Sequence, residues 1–323
     1  DDYAYFSSTS TSWLSHATNY CDIIINRLNL TKESFVVELA SNDGYLLKNF
    51  IKLGIPCIGI EPTKKTAAAS RDLGITVEEV FFTKNVGIKL AAEGKKADLI
   101  IGNNVYAHVP NINDFTEGVV ALLKPNGVVT FEFPHLMELI DKNQFDTVYH
   151  EHFSYLSLIA VKNIFLKFGI KIFDVDQLNT HGGSLRIYGC LNNADYMISK
   201  NVEKILNLEM EAGLTKESTY GNFQIKADKI KNTFIQFLLD AKYNNKVVVG
   251  YGAAAKGNTL LNYAGIRPDM VPFVCDAANS KIGKYLPGSH IPILSPKELE
   301  KNKIDYLIIF PWNISHEIIQ QNI

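Results

Sequence analysis

The sequence predicts an α/β protein with a doubly wound, Rossmann-like domain, a helical connection and a second, smaller α/β domain. Three observations predict it. From about residue 34, short apolar strand signals alternate with helical ones; residues 196–245 are helical and amphipathic; and a new strand–turn–helix opens at "KVVVGYGAAAKGNTLLNYAG" (246–265). Strands alternating with helices predict a parallel sheet covered on both faces. A chain of 323 residues also exceeds one ordinary core. The expected division is 1–195, 196–245 and 246–323.

Each element has its own signal. "SFVVEL" (34–39) is an apolar, β-branched strand, and "GYLLKNFIKLG" (44–54) has helical spacing and ends at Gly54. "PCIGIEP" (56–62) reads as a strand and "KKTAAASRDLG" (64–74) as a helix. "ADLIIGNN" (97–104) is a buried strand, "INDFTEGVVALLKPNG" (112–127) a helix closed by Pro and Gly, and "VVTFEF" (128–133) a strand. "IKIFDVDQL" (170–178) and "SLRIYGC" (184–190) flank "NTHGG" and predict a hairpin added to the sheet. In the last domain "PFVCDAA" and "DYLIIF" supply further strands.

Composition narrows the function classes. Hydrophobic residues are 46% and charged residues 20%, a globular balance. A net charge of -2 gives no basic footprint for nucleic acid. No apolar run approaches the roughly 20 residues of a membrane span. Cys21, Cys57, Cys190 and Cys275 lie far apart without a C-x-x-C pair, which argues against a cysteine-based zinc site. They read as reduced, buried thiols of a cytoplasmic protein, and no secretory signal is present. The Asp-Asp-Tyr start without Met reads as a processed or trimmed chain.

Two turns compete for a cofactor. "VVELASNDGYLL" (36–47) runs from a strand through Glu38, Ser41, Asn42, Asp43 and Gly44 into a helix, and Glu61 follows the next strand where an acidic side chain binds ribose hydroxyls. Only Gly44 stands where dinucleotide enzymes have three glycines, so the turn suits a nucleoside without phosphates, such as S-adenosylmethionine. "VVVGYGAAAKG" (247–257) satisfies G-x-G-x-x-A with Gly250, Gly252 and Ala255, and Asp276 ends the following strand. That pattern fits NAD, yet Lys256 at the turn also suits the diphosphate of a nucleotide sugar. A third stretch, "YHEHFSYLSL" (149–158), places Tyr149, His150, Glu151 and His152 side by side. On these residues alone it is either a solvated loop or an active-site loop.

In order along the chain, "YFSSTS", "VVELASNDGYLL", "GIEPT", "NNVYAHV", "LLKPNGVVTFEFP", "YHEHFSYLSL", "HGGSLR", "GYGAAAKGNTLLNY", "DAANSKIGKYLPGSHIPI" and "PWN" together resemble the S-adenosylmethionine-dependent sugar C-methyltransferases. These enzymes modify keto-deoxysugars attached to nucleoside diphosphates. Two departures stand out. The cysteine-rich zinc domain that usually opens the family is absent, so zinc is expected only if such a domain exists in a longer protein, and no metal site is assigned here. The chain also stops at Ile323, where the family usually adds a last short strand.

The resemblance implies that residues 1–195 bind the methyl donor and 246–323 the nucleotide sugar. Carbon methylation needs a carbanion equivalent, and the C3 proton of a 4-keto sugar is acidified by the carbonyl beside it. A base forms the enolate, and donors steady its oxygen. By resemblance the base is His152, with Glu151 and Tyr149 beside it and His108 and Tyr3 as donors to the sugar; His150 is assigned a structural part. A histidine suits the base because its ordinary pKa lies near neutrality. Glu61 is the ribose candidate. Glu38, Ser41, Asp43 and Gly44 border the amino-acid end of S-adenosylmethionine, and Asn103 and Asn104 end the neighbouring strand. For the sugar nucleotide, Tyr251, Lys256 and Asn258 are placed nearest the phosphates. His181 and Arg186 are further substrate candidates, with a surface ion pair as the bland reading of Arg186. Three rivals stay open: a sugar O-methyltransferase, an NAD-dependent dehydrogenase using the 250–257 turn, and a nucleotide-sugar binding module without catalysis.

Overall fold

The computed structural model describes residues 6–322. Its contacts form two compact units. The first comprises residues through 136 together with 153–179 and 183–211; the second comprises 137–152, 180–182 and 212 onward.

The first long element of the first unit is helix α1 (Thr11–Leu28), which has no separate signal in the sequence. Ser10 caps it by accepting the N–H of Trp13, and Asn29 closes it in the left-handed region, at φ 51°. Strand β1 (Val36–Leu39) follows, then α2 (Lys48–Lys52), β2 (Cys57–Ile60), α3 (Lys64–Asp72), β3 (Thr76–Glu78), α4 (Lys84–Ala92) and β4 (Ala97–Asn103). Next come α5 (Ile112–Leu122), β5 (Leu123–Pro134), α6 (Leu136–Asp141, which from residue 137 belongs to the second unit), α7 (Leu158–Lys167), β6 (Ile170–Leu178), β7 (Ser184–Leu191) and α8 (Lys200–Glu211). The sheet order is β3-β2-β1-β4-β5-β7-β6. β1 to β5 are parallel, and β7 runs antiparallel to both β5 and β6. The predicted hairpin is therefore present, with its second strand inserted between β5 and β6.

Alternation along the strands explains the continuous apolar runs. Val37, Leu39, Ile58, Ile60 and Ile100 belong to one core. Val36, Cys57, Leu99 and Ile101 belong to another, which is closed by Ala17, Tyr20, Cys21 and Ile24 of α1. Each large aliphatic side chain so buried contributes roughly 1.5–3 kcal/mol. All four cysteines are buried and free.

Two helices are shorter than expected. Asn42 and Gly44 take left-handed backbone, and α-helical hydrogen bonding becomes regular only from Lys48. The helix expected over 112–127 stops at Leu122, because Leu123 already pairs with Ala97 in the sheet and a register shift absorbs the Pro125–Gly127 stretch.

The second unit contains α9 (Glu217–Gly221), α10 (Phe223–Tyr243), β8 (Val248–Tyr251), α11 (Ala255–Tyr263), β9 (Val274–Cys275), β10 (Ile293–Leu294), α12 (Glu298–Lys301), β11 (Tyr306–Ile309) and α13 (Ser315–Asn322). Its parallel sheet has the order β10-β9-β8-β11. The contact division runs through the 196–245 helical stretch. Val202 and Ile205 of α8 are buried in the first unit's core, whereas Leu238 and Ala241 of α10 are buried in the second unit's. Among the described residues no helix is long and apolar enough to cross a membrane.

Candidate functional site

At the carboxyl end of β1 the chain turns through Ala40, Asn42 and Gly44, at φ 55°, 50° and 78°. Ala40 in the left-handed region is strain held by its surroundings, a feature that concentrates at functional sites. Gly44 has no alternative, because a Cβ there would fall 2.5 Å from Ile75 and 2.8 Å from the Ser70 hydroxyl. Around this turn Glu38 Oε2, Ser41 Oγ, Asp43 Oδ1, Ser70 Oγ and both amide atoms of Asn103 are buried without a protein partner among the described residues. A buried polar atom left unmet costs about 1–3 kcal/mol, so this set fits a ligand rich in polar groups. Burial, followed by the charges of Glu61 and Asp43, pushes the Glu38 carboxyl well above the usual carboxylate range. The Asp43 and Glu61 side chains at this turn disfavour a phosphate and favour a cation, and a neutral Glu38 can donate as well as accept.

Glu61 is buried, and its two oxygens accept the N–H groups of Asn42 and Thr63, both at 2.9 Å. Each oxygen keeps a second lone pair for a further donor. Ser7 and Ser8 donate their N–H groups to Asn42 Oδ1 and Asp43 Oδ2, both at 3.0 Å, which lays the amino-terminal segment on the turn. Tyr3 lies outside the described residues. Asn103 and Asn104 follow one another at the end of β4, Asn104 donating its N–H to the Glu132 carbonyl at 2.7 Å. His108 ends the short turn Tyr106–His108 and is half-buried.

Arg186 forms no surface ion pair. It is buried on β7, 2.7 Å from Glu132, with its guanidinium over the Tyr20 ring at 4.5 Å. Its neighbour across the sheet, Glu132, also meets His16 Nε2 at 2.9 Å. Burial alone would raise the Glu132 carboxyl, but His16 and Arg186 together hold it down at about 2. Nothing in the sequence links these three, because 116 and 54 residues separate them from one another.

In the second unit the loop 149–152 is arranged around His152. Its Nδ1 lies 2.8 Å from the Thr147 carbonyl, and its ring lies 4.2 Å from that of Tyr149. A carbonyl only accepts, so Nδ1 carries the proton and the neutral ring keeps its lone pair on Nε2. Glu151 is exposed, and so is His150, which had been assigned a structural part.

The 250–257 turn is tied to residues far along the chain. Asp276 Oδ2 accepts the Ala253 N–H at 2.7 Å, and Lys281 reaches the same oxygen at 3.3 Å. Pro311 fills the space a Cβ on Gly252 would need, at 2.4 Å. Asp276 thus shapes this turn, as Glu61 shapes the first. Tyr251 has its ring in the apolar cluster with Val249, Phe273 and Cys275, because strand alternation turns it inward. Lys256 remains available: its ammonium lies 2.8 Å from Asn313 Oδ1 and 4.4 Å from the Trp312 ring, and burial lowers its pKa. Asn258 keeps a buried amide oxygen without a protein partner. His181, at φ 53°, stands before Gly182, which packs against Trp312.

A family model described as a methyltransferase domain matches residues 13–175, and one described as a C-methyltransferase C-terminal domain matches residues 179–323. C-methyltransferase NovU of Streptomyces niveus is 35% identical over 317 residues, covering 98% of this chain and 76% of NovU. The chain belongs to the C-methyltransferase family. It is an S-adenosylmethionine-dependent methyltransferase, and the orphaned polar atoms around Glu38 and Ser41 fit that donor. Among solved structures, the PH0226 protein of Pyrococcus horikoshii matches at a TM-score of 0.48 and 15% identity, over 58% of this chain and 95% of that one. Magnesium protoporphyrin IX methyltransferase from Synechocystis, solved with bound SAH, matches at 0.43 and 13%, over 55% and 82%. Among the described residues of this C-methyltransferase no group of three or more His, Cys, Asp or Glu side chains is arranged to hold a metal ion.

Proposed function

We propose that this enzyme methylates C3 of a nucleoside-diphosphate-linked 4-keto-deoxysugar, with His152 as the base that forms the enolate. The observation that carries the reading is the Nδ1 contact of His152 with the Thr147 carbonyl, which places the neutral ring's lone pair on Nε2. His152 Nε2 takes the C3 proton, and the electron pair moves toward the carbonyl oxygen. Tyr149, whose ring lies tilted against that of His152, and His108 are the donors to that oxygen, a role in which Tyr3 is also proposed. When bound, S-adenosylmethionine supplies the electrophilic methyl on a sulfonium that the carbanion takes.

Residues 1–195 hold the methyl donor in this reading. Glu61 accepts from the ribose hydroxyls. Glu38, Ser41, Asp43 and Gly44 surround the cationic amino-acid end, where the acidic Asp43 is favourable, and Asn103 and Asn104 border it. Residues 246–323 hold the nucleotide sugar through Lys256 and Asn258, with His181 beside them. Tyr251 drops out because its ring is committed to the core, and Arg186 acts by ordering Glu132 and His16.

A mass-spectrometric screen tests the reading. dTDP-, GDP- and CDP-linked 4-keto-6-deoxysugars are incubated with S-adenosylmethionine, and one of them is expected to gain a single methyl on carbon. A methyl found on oxygen, or no product from any keto sugar, contradicts it.

A further inference from the structure

We propose that Asp146 and Trp312 are positioning residues for His152, tying it to the same indole on which Lys256 rests. The proposal rests on the assignment of His152 as the base. His152 is held through the Thr147 carbonyl, so whatever fixes the short turn Phe145–Thr147 fixes the ring. Two things do. The Thr147 N–H reaches the Gln144 carbonyl and the Val148 N–H reaches the Phe145 carbonyl, both at 3.0 Å, and they close the turn that carries the Asp146 carboxylate. The carboxylate is itself anchored, with Oδ2 accepting Trp312 Nε1–H at 2.7 Å.

Trp312 cannot swing freely. It packs on Gly182, where a Cβ would come within 2.5 Å of the ring, and the Gly182 carbonyl is clamped by Lys142 and Gln144 at 2.9 and 3.0 Å. The opposite side of the loop is pinned by Phe145, whose ring lies 5.5 Å from Tyr263 of α11. The Lys256 ammonium sits 4.4 Å from the same indole. Its direct partners are an amide oxygen and a ring face, so an anion bound there acts on the group that anchors Asp146. Burial raises the Asp146 carboxyl on balance, and the Trp312 N–H and then the Lys256 ammonium oppose that rise. The fold has arranged one cation, one indole and one carboxylate in series ahead of the base.

Trp312→Phe keeps the ring and removes Nε1–H; Asp146→Ala removes the acceptor; Asp146→Asn keeps an acceptor oxygen for the indole. The first two are expected to lower kcat about tenfold each, since an ångström of misplacement costs up to about 10²-fold. The double variant should be no slower than either single one, as for groups acting as a unit. The KM for S-adenosylmethionine should be unchanged, and Asp146→Asn should recover most of the rate. Loosening the Nδ1–carbonyl contact weakens support for the imidazolium, so the acidic limb of the kcat–pH profile should move to lower pH. A lower kcat with an unmoved limb makes the pair merely structural and overturns the proposal, as does an unchanged kcat in both single variants. His152→Ala separates the two levels: if it retains exchange of the C3 hydrogen, the base assignment fails. If it abolishes exchange while Trp312→Phe and Asp146→Ala behave as wild type, only the positioning proposal fails.

Discussion

Glu61 shows how a single carboxylate can shape a turn and still be free to bind. Its oxygens take the Asn42 and Thr63 N–H groups, so the turn is preformed, and the remaining lone pairs suit the paired hydroxyls of a ribose. Glu61→Ala is expected to weaken binding of S-adenosylhomocysteine by about 1–3 kcal/mol, the range for removing the partner of buried hydrogen-bonding groups. Calorimetry that returns an unchanged affinity would remove Glu61 from the donor site. Glu132 supports a second prediction. Its carboxyl is depressed from an ordinary 4.5 to about 2, so its contribution to stability is complete above pH 4.5 and is lost as pH falls through about 2. The linkage amounts to an order of 3 kcal/mol. Glu132→Gln should be less stable than wild type at pH 6, and that difference should shrink on acidification; chemical denaturation at a series of pH values checks it.

At the scale of elements, α4 and α5 meet backbone to backbone at Gly87 and Gly118. A Cβ on Gly87 would fall 2.3 Å from the Gly118 carbonyl oxygen, which belongs to backbone and has no rotamer to yield. Gly87→Ala is therefore expected to destabilise the protein by roughly 1–3 kcal/mol, the usual cost of overpacking, whereas Gly94→Ala meets no neighbour and strains only its left-handed backbone. Thermal unfolding in which Gly87→Ala is as stable as wild type would refute this close packing. The strands were legible because β1, β2, β4 and β5 are buried on both faces and so carry unbroken apolar runs. Helix α1 was not, since its buried positions Ala17, Tyr20, Cys21 and Ile24 are diluted by polar residues facing out. The end of α5 was misread because Pro125 and Gly127, ordinarily stop signals, sit here inside the irregular start of β5.

For the whole molecule, the order of motifs carried the family, and the three-dimensional arrangement supplied what motifs lack. "VVELASNDGYLL" announced a turn, but the orphaned polar atoms around it and the approach of Glu61, which favour a cationic donor over a pyrophosphate, emerged only on folding. "GYGAAAKG" satisfied a dinucleotide pattern, yet its shape depends on Asp276 and Pro311, which lie far along the chain. Pairings such as His16 with Glu132, or Trp312 with Asp146, span 116 and 166 residues and have no local periodicity to betray them. The central claim, enolate formation by His152, is tested most directly by solvent exchange at C3 of the accepted keto sugar. In deuterated buffer with S-adenosylhomocysteine in place of the methyl donor, wild-type enzyme should wash deuterium into C3. His152→Ala should lose most of that exchange, on the order of 10²–10⁴-fold, while still binding the sugar nucleotide. Near-normal exchange in His152→Ala, with exchange abolished in His108→Ala, would contradict the account and make His108 the base.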